Sequence, residues 1–280
     1  MANLESLIRK MFGQGAPREA RNGPPTRMRL HNPVSIPPGD KQESDLQSVQ
    51  YIQTRVTELD PQHLLDNRIV ALNKRDPNSY LFDFLRTQVL RKMQANNWRS
   101  LAILSPTPGA GKTFVAINLA ISIAQHPNKS AILVDMDLRR PQVAYQLGLP
   151  STRSLYDYLG GTASLAQVLV NPGIPRLVIA PVYQPIENSA ELLSSKKVHN
   201  MITDLRQRYD SRIVILDLPP LLSADDTMIV LPQVDCALMV IGNGKHSESE
   251  LQDSMRLLNG VNLLGTVINR VDAAPVIEPY

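Results

Sequence analysis

Cysteine is nearly absent: one thiol, Cys236, in 280 residues, which excludes a disulfide scaffold and a cysteine-built metal site. It lies inside the apolar run CALMVI, where it reads as a small buried hydrophobe in a chain at home in a reducing compartment. Long apolar runs are also missing. None reaches the roughly eighteen residues needed to span a bilayer, and the N-terminus MANLESLIRKMFG carries Glu5, Arg9 and Lys10 where a signal peptide would carry its apolar core. These absences point to the cytoplasm. At 43% hydrophobic and 20% charged residues, the composition is that of an ordinary globular protein with enough chain for a sizeable core.

Net charge is small, +3, and unevenly placed. Residues 1–30 hold Arg9, Lys10, Arg18, Arg21, Arg27 and Arg29 against Glu5 and Glu19, a net +4, so the rest carries −1. The body therefore has no basic stripe of the kind nucleic acid requires, and no nucleic-acid partner is expected. The arm is a handle for anionic lipid or an acidic partner, or else a solvated tail. Within residues 1–12, Leu4, Leu7, Ile8, Met11 and Phe12 repeat at helical spacing, the pattern of an amphipathic helix that forms on a surface. Residues 13–43 read as a disordered basic linker: six prolines and four glycines fall within 13–39, leaving little apolar surface to offset the entropy of ordering. Residues 44–76 read as a helical or irregular lead-in.

From residue 77 to 280 the pattern changes. Short, continuously apolar runs at Leu101–Leu104, Ala131–Val134, Leu177–Ala180, Ile213–Leu216, Ala237–Ile241 and Leu264–Ile268 predict strands buried on both faces. Helix-period segments lie between them, notably Thr113–Gln125, Lys196–Tyr209 and Ser247–Leu258. Strands alternating with helices predict right-handed crossovers and an α/β domain, a doubly wound, mainly parallel sheet with flanking helices.

The first strand runs into Ser105-Pro-Thr-Pro-Gly-Ala-Gly-Lys-Thr113 and then into a helix. Such a strand, glycine loop and helix of the P-loop NTPase type turns backbone N–H groups around phosphate oxygens. Lys112 reaches the β and γ oxygens and Thr113 offers a hydroxyl to Mg²⁺. ATP and Mg²⁺ are thus the expected cofactors, held by Pro108, Gly109, Ala110, Gly111, Lys112, Thr113 and Phe114. The usual first glycine is Pro106 here. Carboxylates must complete such a site, and two strand ends supply them: Asp135 and Asp137 in AILVDMDLRRP, expected to face the same way because strand residues two apart share a side, and Asp217 in IVILDLPPLL, placed to organise the metal.

At these residues the chain resembles the bacterial tyrosine kinase family, cytoplasmic P-loop kinases that act with a membrane chain-length protein in capsule and exopolysaccharide export. The likeness covers about 77–270: Ser105–Thr113, ILVDMDLRRP, ILDLPPLLSADD with Asp226, and Glu187-Asn-Ser-Ala-Glu-Leu-Leu-Ser-Ser195. Partition and septum-site ATPases share the aspartates but carry a lysine five residues before Lys112, where this chain has Thr107. The resemblance implies a peripheral location at the inner face of the membrane, a membrane co-polymerase partner, homo-oligomers, an adenine-side role for Asn269, and catalysis by Lys112 with Asp135 or Asp137 as base. Thr113, Asp135 and Asp217 are its implied metal residues.

Two features depart from the family. Its Glu-x-x-Arg-x-x-Arg helix, which supports self-association, appears as Asp83-Phe-Leu-Arg86-Thr-Gln-Val89, with Arg91 as a substitute for the missing arginine; its C-terminal tyrosine cluster is reduced to Tyr280. Tyr280 is the expected phosphoacceptor, while Tyr156 and Tyr158, beside Leu155 and Leu159, are expected to pack. The rival expectations are a regulatory ATPase that does not phosphorylate tyrosine and a spatial-positioning ATPase.

Overall fold

The structure, a computed structural model, describes residues 55–271. The basic arm, its expected helix and linker, and Tyr280 lie outside the described residues. Eight strands form one sheet: β1 (Arg55–Val56), β2 (Ser100–Leu104), β3 (Ser130–Asp135), β4 (Val170–Asn171), β5 (Leu177–Ala180), β6 (Arg212–Asp217), β7 (Cys236–Gly242) and β8 (Leu263–Asn269). Their order is β1-β4-β5-β3-β6-β2-β7-β8. Every pairing is parallel except β4 against β5, so the mainly parallel sheet expected from the alternation is the one found. The apolar runs were its six longest strands. The two-residue strands β1 and β4 are too short to carry a period.

Ten α-helices flank the sheet among the described residues: α1 (Pro61–Asp66), α2 (Ser79–Ala95), α3 (Lys112–Gln125), α4 (Val143–Leu147), α5 (Leu155–Leu159), α6 (Leu165–Val168), α7 (Ser189–Leu193), α8 (Lys196–Gln207), α9 (Asp226–Val230) and α10 (Glu248–Leu257). No helix among them is long and apolar enough to cross a membrane. The central α3 is apolar nearly all round and buries Val115 to Ala124 without a break, as a helix enclosed on every side must. The two polar residues within that stretch are spent inside: Asn118 Oδ1 accepts the backbone N–H groups of Val70 and Ala71 at 2.9 and 3.0 Å, and Ser122 Oγ donates to Asp83 Oδ1 at 2.8 Å.

Asp83 and Arg86 on α2 also bond each other, and Arg86 reaches Ser122, so this arginine is committed within the chain. Val89 is fully buried, whereas Arg91 is exposed. Cys236 is buried at the start of β7, as expected, and burial, aided by the charge of Asp235, pushes its thiol up to about 12. Tyr156 corrects an expectation. Leu155 and Leu159 take the inward face of the five-residue α5, which turns Tyr156 outward to 48% exposure, while Tyr158 is half-buried beside Lys197.

Candidate active site

The sheet order reverses direction at β2: the chain leaves β2 for β3 on one side and β6 for β7 on the other, and ligands in such sheets bind beyond the strand ends at that switch. The loop after β2 is held from several directions. Leu221 and Leu222, just past β6, donate their N–H groups to the carbonyls of Ser105 (2.8 Å) and Pro106 (3.0 Å). Only the carbonyl of Pro106 is used in these contacts, which is how the loop accepts a proline in place of the usual glycine. From β8, Asn269 Nδ2 donates to the Ala110 carbonyl at 2.9 Å. Gly111 cannot be replaced: its φ is +89°, and a Cβ there would sit 2.2 Å from Asn269 Nδ2.

The charged residues converge where α3 begins. Lys112 Nζ lies 2.8 Å from Asp137 Oδ2 and 3.5 Å from Asp217 Oδ1, and Thr113 Oγ1 donates to Asp217 Oδ2 at 2.6 Å. Asp135 and Asp217 are register partners at the ends of β3 and β6, both fully buried. Val143 donates its N–H to Asp135 Oδ2 at 3.1 Å. Burial first, and then the charge of Asp217, pushes the Asp135 carboxyl well above its usual range; burial raises Asp217 as well, against the pull of Lys112 and Thr113. Burial works to lower the lysine, but Asp217, Asp137 and Asp135 outweigh it and keep the ammonium charged.

Above this cluster opens a cavity of about 890 Å³. Pro108, Gly109, Gly111, Lys112, Thr113, Phe114, Asp137 and Asn269 line it. Ala110 is buried behind the loop, and Asp135 and Asp217 lie beneath the floor. The two aspartates of the DMD run therefore do not share a surface: β3 ends at Asp135, so the alternation of a strand does not extend to Asp137.

Three further parts of the wall were not foreseen. Arg68 and Arg270 line it with left-handed backbones, φ 56° and 60°. Arg139 is fixed outward by Asp226, Nη2 to Oδ1 at 2.9 Å. Tyr145 on α4 is 68% exposed at the rim, edge-on to His63. It lies eight residues past Asp137 on a five-residue helix too short to show a period.

Magnesium fits these residues. Among the described residues, Asp135 Oδ1 is a buried oxygen with no hydrogen-bond partner, and the Lys112 ammonium at 3.5 Å is the partner of Asp217 Oδ1. No three His, Cys, Asp or Glu side chains among the described residues make a complete cage, which suits an ion that keeps its waters and shares phosphate oxygens with its nucleotide.

The sequence model of the AAA domain matches residues 98–270. The tyrosine-protein kinase wzc of Salmonella typhimurium is 32% identical over 190 residues, 67% of this chain and 26% of that protein; the chain spans about a quarter of the length of that relative. The tyrosine-protein kinase CpsD of Streptococcus pneumoniae is 29% identical over 187 residues, 65% of this chain and 80% of that one. Among solved structures, the kinase domain of Escherichia coli tyrosine kinase ETK superposes with a TM-score of 0.68 at 27% identity, covering 81% of this chain and 91% of that domain. With the P-loop and the two aspartate-bearing strand ends in agreement with that model, the chain belongs to the AAA-domain family, and the relatives and solved domain it resembles here are named bacterial tyrosine kinases.

Proposed function

We propose that the chain is an ATP-dependent protein-tyrosine kinase, acting on itself and on other copies, with the activity housed in residues 77–280 together with the wall supplied by residues 66–68. The observation that carries this reading is the meeting of Lys112, Asp137, Thr113 and Asp217 at the N-terminus of α3, beneath a cavity open enough for a side chain carried by another protein.

In the reaction the phenol oxygen of tyrosine forms a bond to the γ-phosphorus, and the bond from that phosphorus to the β–γ bridging oxygen breaks, releasing ADP. Lys112, kept protonated by its carboxylates, counters the charge that builds on the phosphoryl oxygens. The loop amides from Gly109 to Thr113 bind and orient the phosphates. A phenol with a pKa of about 10 needs a base, and Asp137, which lines the cavity where Asp135 does not, receives the proton. Thr113, Asp135 and Asp217 would hold Mg²⁺, directly or through water, and the ion would supply neutralisation of phosphate charge. Asn269 and Phe114 border the base side. Peripheral membrane attachment, homo-oligomerisation and a membrane chain-length partner in polysaccharide export complete the reading; the names of the relatives support its kinase part.

The test is mass spectrometry of the full chain after incubation with Mg-ATP, alongside Lys112→Met. Phosphotyrosine in the wild type, with Tyr280 and the rim residue Tyr145 as the sites to read first, and turnover lowered by on the order of 10²-fold or more in the variant are expected. ATP hydrolysis without any phosphotyrosine would replace the kinase reading with a regulatory ATPase.

A further inference from the structure

We propose that His246 is a positioning residue for nucleotide binding, holding the phosphate loop in its binding conformation through Thr107. The inference rests on the loop being the nucleotide site. His246 lies in the loop between β7 and α10. The backbone N–H of Gly242, at the end of β7, donates to His246 Nε2 at 3.0 Å. A backbone amide can only donate, so Nε2 is the bare nitrogen and Nδ1 carries the proton. That Nδ1–H points at Thr107 Oγ1, 2.9 Å away.

The other side of Thr107 is fixed as well, because its carbonyl accepts the Ser105 hydroxyl at 2.9 Å. Gly242 presses on the same loop further along: a Cβ there would come within 3.3 Å of Ala110 Cα. The ring thus closes a bracket from the end of β7 across the start of the loop, while the strand end backs its middle. Residues just past β6 hold the loop by the Ser105 and Pro106 carbonyls, and β8 holds it by the Ala110 carbonyl. His246 is the tie from the β7 side, and it grips the loop by a side chain.

The geometry requires the neutral ring. A second proton, on Nε2, would face the Gly242 N–H and break the bracket. Burial keeps the ring below its usual pKa. Of the charged groups around it, Glu250 on α10 pulls toward protonation, Lys245 belongs to its own loop with its side chain against Gly242, and the phosphate loop presents the uncharged Thr107.

The test measures the dissociation constant of a fluorescent ADP with Mg²⁺ for the full chain, for Thr107→Val, His246→Ala and the double variant, and for His246→Asn, whose amide N–H sits where Nδ1 does. Each of the first two substitutions should weaken binding about five- to tenfold near neutral pH, the worth of one positioned hydrogen bond. The double variant should lose no more than the larger single loss, and His246→Asn should recover part of the binding. As pH falls from 8 to 5.5, the wild type should lose affinity more steeply than Thr107→Val. Because Thr107→Val exchanges a hydroxyl for a methyl, it keeps the test alive if His246→Ala folds poorly. Single losses within twofold of wild type, losses that add in the double variant, or parallel pH profiles would overturn the proposal. A wild-type chain that binds no nucleotide would overturn the nucleotide reading beneath it.

Discussion

Asp135 sits where function and stability conflict. Its Oδ1 is buried without a partner, its register neighbour is another buried carboxylate, and its one backbone bond, from Val143, is all that supports the charge besides Lys112. A carboxyl whose folded pKa is raised contributes stability below its unfolded pKa and loses that contribution as pH rises through the folded value. Above its unfolded pKa the carboxyl therefore opposes folding. Asp135→Asn keeps an acceptor for the Val143 N–H and removes the charge. It should stabilise the metal-free protein by about 1–2 kcal/mol, a rise of roughly 2–4 °C in melting temperature per kcal/mol for a domain of this size, while turnover is lost. Melts at pH 8 and pH 5 check this: the gain should shrink on acidification, as the wild-type carboxyl takes up its proton. A gain that grows at low pH would show that another group sets the difference.

At the scale of elements, what the sequence made visible was whatever is local. The six strands of four or more residues coincide with apolar runs, because a strand buried on both faces must be apolar throughout. Lys112, Thr113, Asp135, Asp137 and Asp217 were legible because each lies at or just beyond the end of a strand, or at the loop that follows one. The remainder depends on pairings that composition cannot report. Thr107 and His246 are 139 positions apart, and Val70 and Asn118 are 48 apart. A histidine in a polar loop and an asparagine in an apolar helix look ordinary until the fold brings their partners. Helices α4 to α7, of four or five residues, complete too little of a turn pattern to show a stripe. Asn118 gives this scale its prediction. It ties the strand-free segment after α1 to α3 and so sets the wall at Asp66, Asn67 and Arg68. Asn118→Ala leaves two backbone donors unpaired in a buried place, at a cost of about 2–4 kcal/mol. Chemical denaturation should show that loss together with weaker nucleotide binding. Normal affinity in a destabilised variant would separate the segment from the site.

The whole molecule divides its charge and its chemistry between different stretches of chain. Among the described residues, 55–271, lie the sheet, its helices and the groups that line the candidate site. The net positive charge lies in residues 1–30, where six Arg and Lys face two Glu, and the next stretch is rich in proline and glycine. Attraction to an anionic surface is worth about 1 kcal/mol per basic residue close to it and fades within a Debye length, about 8 Å at physiological salt. Six basic residues in a segment that also carries Leu4, Leu7, Ile8, Met11 and Phe12 can therefore supply an electrostatic attachment for which the rest of the chain, at −1, has no net charge of the right sign. Deleting residues 1–40 should leave the melting temperature and the nucleotide dissociation constant close to those of the full chain. Sedimentation with vesicles containing anionic lipid should fall sharply, and added salt should weaken the full chain's binding in the same direction. Equal sedimentation of the two chains would place the membrane contact on the folded body, and a large drop in melting temperature would show that the arm packs against it.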